Sequence, residues 1–495
     1  MRMPEPDAGS LAKRASIIER LREIVPGEGV IATEDELRAY ECDGLSAYRA
    51  VPMAVVLPGT TGQVSEILKL CDREKIKVVP RGAGTSLSGG ALPLTDGVVL
   101  GLGKFNRILD VDFENRCVVA QPGVTNLGIT NAVQHEGFYY APDPSSQIAC
   151  TIGGNVAENS GGVHCLKYGL TTNNLLGLEM VLPNGDILRL GGRHLDAEGY
   201  DLLGLMTGSE GLLGVVTEVT VRILRKPETA KALLMGFPSA EQAGDAVAAI
   251  IAAGIIPGGL EMMDGPAIKA ADDFVHAGYP LDAEALLICE LDGPAGEVSH
   301  LIEVVGAIAR QHSASTIRVS ADDAERARFW AGRKAAFPAV GRISPYYYCM
   351  DGTIPRAQLP HVLHRMREMS AHYGLRVANV FHAGDGNLHP LILYDANTPG
   401  ELERTEEFGA EILKLCVEVG GVLTGEHGVG VEKRDLMPVM FSEDDLNQQQ
   451  RLKCAFDPSQ ILNPGKVFPK LHRCAELGRM HIHRGQTPFP DLPRF

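Results

Sequence analysis

Apolar positions recur at helical spacing from residue 11 to 25 with Arg and Glu between them, which predicts an amphipathic N-terminal helix. Residues 54–58 read as a short strand, and 61–74 as a helix in which Val64, Ile67, Leu68 and Cys71 share one face after a Thr60/Thr61 cap. A second strand at 76–79 completes an α/β start. Short β segments at 97–101 and 117–120, a helix near 125–137, and a hairpin-like pair, 179–182 and 186–190, across Pro183-Asn184-Gly185 come next. Alternating Val and Thr mark a strand at 215–223. From Lys226 the pattern changes to Ala-rich helices at 241–253 and 296–310, a strand at 286–291 and a tight Pro257-Gly258-Gly259 turn, the signature of a separate α+β unit. A helix at 321–336 and strands at 377–381 and 391–394 follow, and the boundary between the halves falls near 225–229.

Composition narrows the function. The 495 residues are 45% hydrophobic with one Trp, enough for two or three domains and a large core. A net charge of −16 with no offsetting basic run argues against nucleic acid as a partner, so an anionic ligand must meet a local positive site. No apolar core precedes Leu11, and the most apolar run, 246–256, is too short to cross a bilayer and stops at Pro257. The expectation is a cytoplasmic chain or one peripheral to a membrane. Ten cysteines without a Cys-x-x-Cys pair read as buried thiols rather than a disulfide framework or an iron–sulfur site.

The chemistry begins with Pro80-Arg81-Gly82-Ala83-Gly84-Thr85-Ser86-Leu87-Ser88-Gly89-Gly90, directly after the 76–79 strand. Glycines let consecutive N–H groups turn inward as a nest for anionic oxygens, and Arg81, Thr85 and Ser86 add charge and hydroxyls. The segment is neither a Walker loop, which ends in Gly-Lys-Ser/Thr, nor a Rossmann fingerprint, because Leu87 stands where the third glycine belongs. It suits a pyrophosphate, the alternative being a glycine-rich surface turn. Downstream, Asp143-Pro144-Ser145-Ser146 leads into Thr151-Ile152-Gly153-Gly154-Asn155 and Asn159-Ser160-Gly161-Gly162, paired glycines that let backbone lie flat against a planar ligand. Gly208-Ser209-Glu210-Gly211 then precedes the 215–223 strand.

In that order, these four motifs resemble the FAD-binding domain of the vanillyl-alcohol-oxidase (PCMH) type. The resemblance implies an α+β fold: a two-subdomain FAD-binding domain (51–226) after an N-terminal helical segment (1–50), an α+β substrate or cap domain (227–440), and a C-terminal FAD-side helix and tail (441–495). It implies FAD contacts at Pro80, Arg81, Gly82, Gly84, Thr85, Ser86, Gly89, Pro144, Gly153, Gly154, Asn155, Asn159, Gly161, Gly162, Glu210, Val216 and Asn463. Pro80 to Gly90 holds no histidine for a covalent flavin bond, although His164 and Cys165 fall close to the flavin region.

The second half carries Phe381-His382-Ala383-Gly384-Asp385-Gly386-Asn387-Leu388-His389-Pro390 and Gly425-Glu426-His427-Gly428-Val429-Gly430. His382, His389 and Glu426 form a candidate three-ligand set for Zn, Mn or a similar divalent ion with positions open for substrate; the alternative is turn and core histidines. The His382-x6-His389 spacing is not that of the zincins, which weakens a metal-dependent hydrolase reading. His427, beside a candidate ligand, is left to act as a base.

These two segments resemble those of the FAD-linked D-2-hydroxy-acid dehydrogenases, whose members oxidise D-lactate, D-2-hydroxyglutarate or glycolate. The resemblance covers nearly the whole chain. It implies the metal set named above, His427 as base, and Arg333, in Trp330-Ala331-Gly332-Arg333, as the holder of the substrate carboxylate. Phe337 and Cys349 stand where dicarboxylate-using members carry polar residues, which points to a small monocarboxylate. The tail from Leu471 to Pro490 resembles that of the glycolate-oxidising members, implying oxidation of glycolate to glyoxylate with tolerance for D-lactate. Those members work with an iron–sulfur subunit and a second FAD-domain subunit at a membrane. The alternatives are a stand-alone D-lactate dehydrogenase, a metal-dependent hydrolase and an inactive flavin-bound scaffold.

Overall fold

A computed structural model describes residues 3–195 and 199–469, so the 471–490 tail motif lies outside the described residues. Three principal sheets organise the chain. The first has the order Val30–Ile31, Ala54–Val56, Gly97–Gly101, Lys77–Arg81, its last three strands parallel. Its helix, Thr61–Glu74, starts where Thr60 accepts the Gln63 N–H and stops where Lys75 turns left-handed at φ 57°, burying Val64, Ile67, Leu68 and Cys71. The second sheet is antiparallel: Ile108–Asp112, Cys117–Ala120, Val215–Arg222, Leu175–Val181, Ile187–Gly191.

The third sheet has seven antiparallel strands in the order Thr316–Val319, Thr229–Phe237, Ala285–Gly293, Gly259–Asp264, Arg376–Phe381, Pro390–Tyr394, Tyr346–Cys349. The two-residue period sorts its side chains into two cores. Leu233, Met235 and Phe237 face one, with the Ala240–Ala252 and Glu401–Glu418 helices, and Ala232 and Leu234 face the other, with Gly265–Val275 and Asp323–Val340. Covered on both faces, the sheet is a rigid support for what hangs from its strand ends. The chain finally returns to the first sheet, where the Asn463 N–H donates to Val78 O at 2.8 Å.

Two elements differ from the sequence reading. The N-terminal helix is two helices, Ala8–Ala12 and Arg14–Ile24, because Asp7 accepts the Ser10 N–H and starts the first one early. The Gly153-Gly154 pair is helical rather than flat: Thr151 accepts the Gly154 N–H and caps Ile152–Glu158, which ends at Asn159 with φ 53°. Eight described cysteines are free, in keeping with their scatter, whereas Cys454 is disulfide-bonded. No described helix is long and apolar enough to cross a membrane.

The first half docks on the third sheet through buried charge. His164 Nδ1 lies 2.9 Å from Asp143 Oδ2 and its Nε2 3.3 Å from Glu290 Oε1, while Glu290 also receives Arg326 at 3.2 Å and the Trp330 indole N–H. Lys167 reaches Asp292 at 2.7 Å. Burial opposes the imidazolium, but Asp143 and Glu290 outweigh it and raise His164 to about 10. Burial likewise opposes the Glu290 carboxylate, and His164, Arg326 and Trp330 together bring it to about 2.

A group raised from about 6.5 on folding contributes stability that is complete below that value and lost as the pH climbs towards the folded pKa. The unfolding midpoint of the wild type should therefore fall relative to that of His164→Gln between pH 7 and 10, from a starting advantage of roughly 3–5 kcal/mol, the usual cost of breaking a buried pair. Thermal unfolding across that range checks this; a gap independent of pH would refute it.

Candidate active site

A cavity of about 710 Å³ lies between the two halves, lined on one side by the 80–87 segment and on the other by Phe337, His389, Glu426 and His427. Of the seventeen residues the sequence nominates for the cofactor, thirteen line it. Gly89, Asn159, Gly161 and Gly162 do not. Gly89 backs onto Val431, Asn159 Oδ1 accepts the Thr172 N–H at 2.9 Å, Gly161 packs against Glu426, and Gly162 against the Asp143 backbone. These four shape the wall from behind.

The nest at the start of the loop is built as its composition requires. Among the described residues, the N–H groups of Ala83, Gly84, Thr85 and Ser86 donate to no backbone acceptor, and Gly84 holds φ +72°, a conformation that favours glycine. Arg81 is used differently from the sequence reading. Its Nη1 donates to Cys42 O at 2.8 Å, and its guanidinium fills the space where a Gly84 Cβ would sit, so it braces the loop from below and ties it to the N-terminal segment. The run of free amides and the inter-lobe cavity fit a dinucleotide's pyrophosphate and ring system.

His382, His389 and Glu426 do converge. Glu426 Oε1 lies 3.3 Å from His382 Nε2 and 3.3 Å from His389 Nε2, and the three ligand atoms all fall within 4.8 Å of one another. Donors held tetrahedrally at about 2.0–2.1 Å from an ion are roughly 3.3 Å apart, so this spacing fits one divalent cation. His382 Nδ1 is tied to Glu261 Oε1 at 2.9 Å, which leaves Nε2 facing Glu426, and neither His389 ring nitrogen has a hydrogen-bond partner. His427 stacks on His389 at 4.7 Å and 6°, and burial is the main cause that lowers its pKa to about 4, so its imidazole is unprotonated at physiological pH.

Arg333 is not on the cavity wall. It is 1% exposed, its Nη2 lies 2.6 Å from Glu261 Oε2, and none of its guanidinium nitrogens makes a hydrogen bond. The same helix presents Lys334 and Phe337 to the cavity instead. Phe337 meets His389 edge-on at 6.1 Å. Both ring nitrogens of His164 face carboxylates and neither His164 nor Cys165 lines the cavity, so neither is placed to tether a flavin there.

The sequence reading missed Asp351. It is fully buried, and it accepts the N–H groups of Gly425 at 3.1 Å, Glu426 at 3.2 Å and His427 at 2.8 Å as well as the Thr424 hydroxyl. Burial would raise this carboxyl, but His427, His389 and Lys433 outweigh it and hold it well below the usual range.

Residues 52–191 match the FAD binding domain, and residues 226–467 match the C-terminal domain of FAD linked oxidases. The chain is 60% identical to glycolate oxidase subunit GlcD of Escherichia coli K12, over 97% of each chain. The chain belongs to the FAD-linked oxidases.

This FAD-linked oxidase is also 41% identical to glycolate oxidase subunit GlcD of Bacillus subtilis, covering 87% of this chain and 92% of that one, and 32% identical to a D-lactate dehydrogenase of Anaerostipes hadrus, covering 92% and 98%. Its fold is the vanillyl-alcohol-oxidase type, shared with p-cresol methylhydroxylase (TM-score 0.78, 17% identity, 93% and 97% covered) and 4-ethylphenol oxidase of Gulosibacter chungangensis (TM-score 0.78, 18% identity, 94% and 99% covered). The hydrolase alternative is left without support.

Replacing Asp351 by Asn sets an amide donor against backbone donors. We expect Asp351→Asn to lose roughly 1–3 kcal/mol of stability, the cost of an unsatisfied buried group. Denaturant unfolding of the FAD-loaded protein checks this, and an unchanged midpoint would show that the turn holds itself.

Proposed function

We propose that this FAD-linked oxidase converts glycolate to glyoxylate and also accepts D-lactate. The observation that carries the reading is the convergence of an unprotonated imidazole, His427, with the His382–His389–Glu426 cluster, of which His389 and Glu426 reach the wall of the cavity that also holds the 80–87 nest. A 2-hydroxy acid needs three things from the chain: a group to take the hydroxyl proton, a site that polarises the hydroxyl, and a cation for the carboxylate. Bound FAD supplies the hydride acceptor.

His427 takes the proton. Stacked on His389 and gripped at its backbone by Asp351, it is held in one orientation, and desolvation keeps it unprotonated until the substrate arrives. His382, His389 and Glu426 would hold a divalent ion, Zn or Mn, whose charge lowers the pKa of an adjacent hydroxyl. We assign the substrate carboxylate to Arg333, which lies behind the Lys334 and Phe337 wall of the cavity in an ion pair with the Glu261 that orients His382, so that it must leave this pair to meet the substrate. The Phe337 ring against His389 leaves an apolar wall suited to a small monocarboxylate.

Electrons then pass to an iron–sulfur partner subunit, with a second FAD-domain subunit alongside and peripheral membrane association through those partners. What supports a multi-subunit assembly is that the glycolate oxidase relatives are themselves subunits. A stand-alone D-lactate dehydrogenase is favoured by relatives of lower identity, 29–34% against the 41% and 60% of the glycolate oxidase subunits.

Anaerobic addition of glycolate to the purified yellow chain should bleach the flavin band. His427→Ala should keep its FAD yet be reduced roughly 10²–10⁴-fold more slowly, the usual contribution of a general base; a variant bleached at the wild-type rate would remove His427 from the chemistry. Arg333→Met should raise KM for glycolate by roughly 10- to 100-fold, the worth of a charge-assisted pair, with a smaller change in kcat. Initial rates over a glycolate series decide this, and an unaltered KM would transfer the carboxylate to another cation.

A further inference from the structure

A substrate anion entering the cavity meets a wall of mostly its own sign. The charged side chains there are Asp43, Arg81, Glu158, Glu210, Lys334 and Glu426, four carboxyl groups against two cations, and bound FAD adds the negative charge of its pyrophosphate. The chain as a whole carries −16. Of the two cations, Arg81 is engaged with Cys42 O at 2.8 Å. Arg333 lies behind the wall with its Nη2 2.6 Å from Glu261 Oε2, so a substrate carboxylate has to be held elsewhere while that pair opens.

Lys334 is the other cation of the wall, and among the described residues it makes no hydrogen bond or ion pair. It is exposed at the rim of the cavity together with Pro338 of its own helix and with Ser145 and Ile148 from the FAD-binding half, so solvent and an incoming ligand both reach it. Asp143 does not bind it: Oδ1 accepts the His164 N–H at 3.1 Å, and Oδ2 faces His164 Nδ1 at 2.9 Å. Against burial, His164 and then Lys334 hold the Asp143 carboxyl below its usual range, which places the ammonium close to the join of the two halves. Phe337 follows three residues later on the same helix face, about 4.5 Å along the axis, and its ring meets His389 edge-on at 6.1 Å. A flexible four-carbon stem at this point lets one ammonium meet an anion at the rim and follow it inward.

We propose that Lys334 is the capture site for the substrate carboxylate: its ammonium binds the anion at the cavity rim and brings it past Phe337 to His427 and the histidine cluster, where Arg333 takes it over. The inference rests on the 2-hydroxy-acid reading of the site, and it concerns the entry of the anion rather than the removal of proton or hydride.

The test is stopped-flow mixing of the FAD-loaded full chain, as wild type, K334M, K334R and K334E, with glycolate and with D-lactate over a series of ionic strengths, followed by flavin absorbance. At low salt K334M should lower the second-order rate constant for flavin reduction roughly threefold to fivefold, the upper range for an exposed ion pair, with the loss falling on this constant rather than on the limiting rate at saturation. K334E should lower it further and K334R should restore it. The gap between wild type and K334M should close as salt rises, because exposed charges are screened. Equal rate constants at low salt, a gap that salt leaves unchanged, or a K334R as slow as K334M would overturn the proposal. A wild type that neither acid reduces would sink the 2-hydroxy-acid reading instead; the shift of the oxidised flavin spectrum on mixing with oxalate, a carboxylate without an oxidisable C–H bond, then compares the same four proteins, and the same salt-closing gap in its association rate is expected.

Discussion

One loop, residues 424–430, is held by two buried carboxylates that come from opposite halves of the chain, and the site exists only because both grips are made. Asp351 follows the Tyr346–Cys349 strand of the seven-stranded sheet and collects the N–H groups of Gly425, Glu426 and His427. Glu210, from the FAD-binding half, collects those of Val429 and Gly430. Charge-assisted bonds to backbone amides fix a chain's direction as well as its position, so adjacent residues can be sent to different tasks. Glu426 turns to His382 and His389, and His427 stacks on His389.

The same grip explains why the halves cannot act separately. The 80–87 nest belongs to the parallel sheet and the histidine cluster to the antiparallel one, and the cavity between them has a wall from each. The loop is the element common to both. The ionic contacts around His164 and Asp292 set the halves against each other some distance from the reacting groups, and the return of the chain through Asn463 and Lys466 to Gly90 closes the cofactor side. Preorganisation of this kind spends folding energy before substrate binds and spares it afterwards.

Much of this was legible in the chain because its signals are local. The Thr61–Glu74 helix is framed by its own cap and apolar face, and the loop at Pro80, the glycine pairs and the two histidine segments carry their chemistry within a dozen residues. What was missed depends on distant partners. Asp351 meets His427 across 76 positions and Glu261 meets His382 across 121, and no period or motif announces either. Arg81 read as a phosphate ligand because its sequence neighbours are glycines, yet its acceptor is Cys42 O, 39 positions away. The Ile152–Glu158 helix was hidden because seven residues span barely two turns, too few for a 3.6-residue period to show. Lys334 and Arg333 are adjacent in sequence, and only the packing of their helix decides that the first lines the cavity and the second is buried beside Glu261.

The central claim is that the gripped loop makes one site from two halves, with a cation and the flavin ring on either side of the substrate. Anomalous diffraction at the Zn and Mn edges from crystals of the FAD-loaded chain soaked with glycolate tests it most directly. The account predicts a single strong peak bounded by His382, His389 and Glu426, with the glycolate hydroxyl between that peak, His427 and the flavin ring. A peak elsewhere, or glycolate bound away from His427 with the flavin in place, would contradict it.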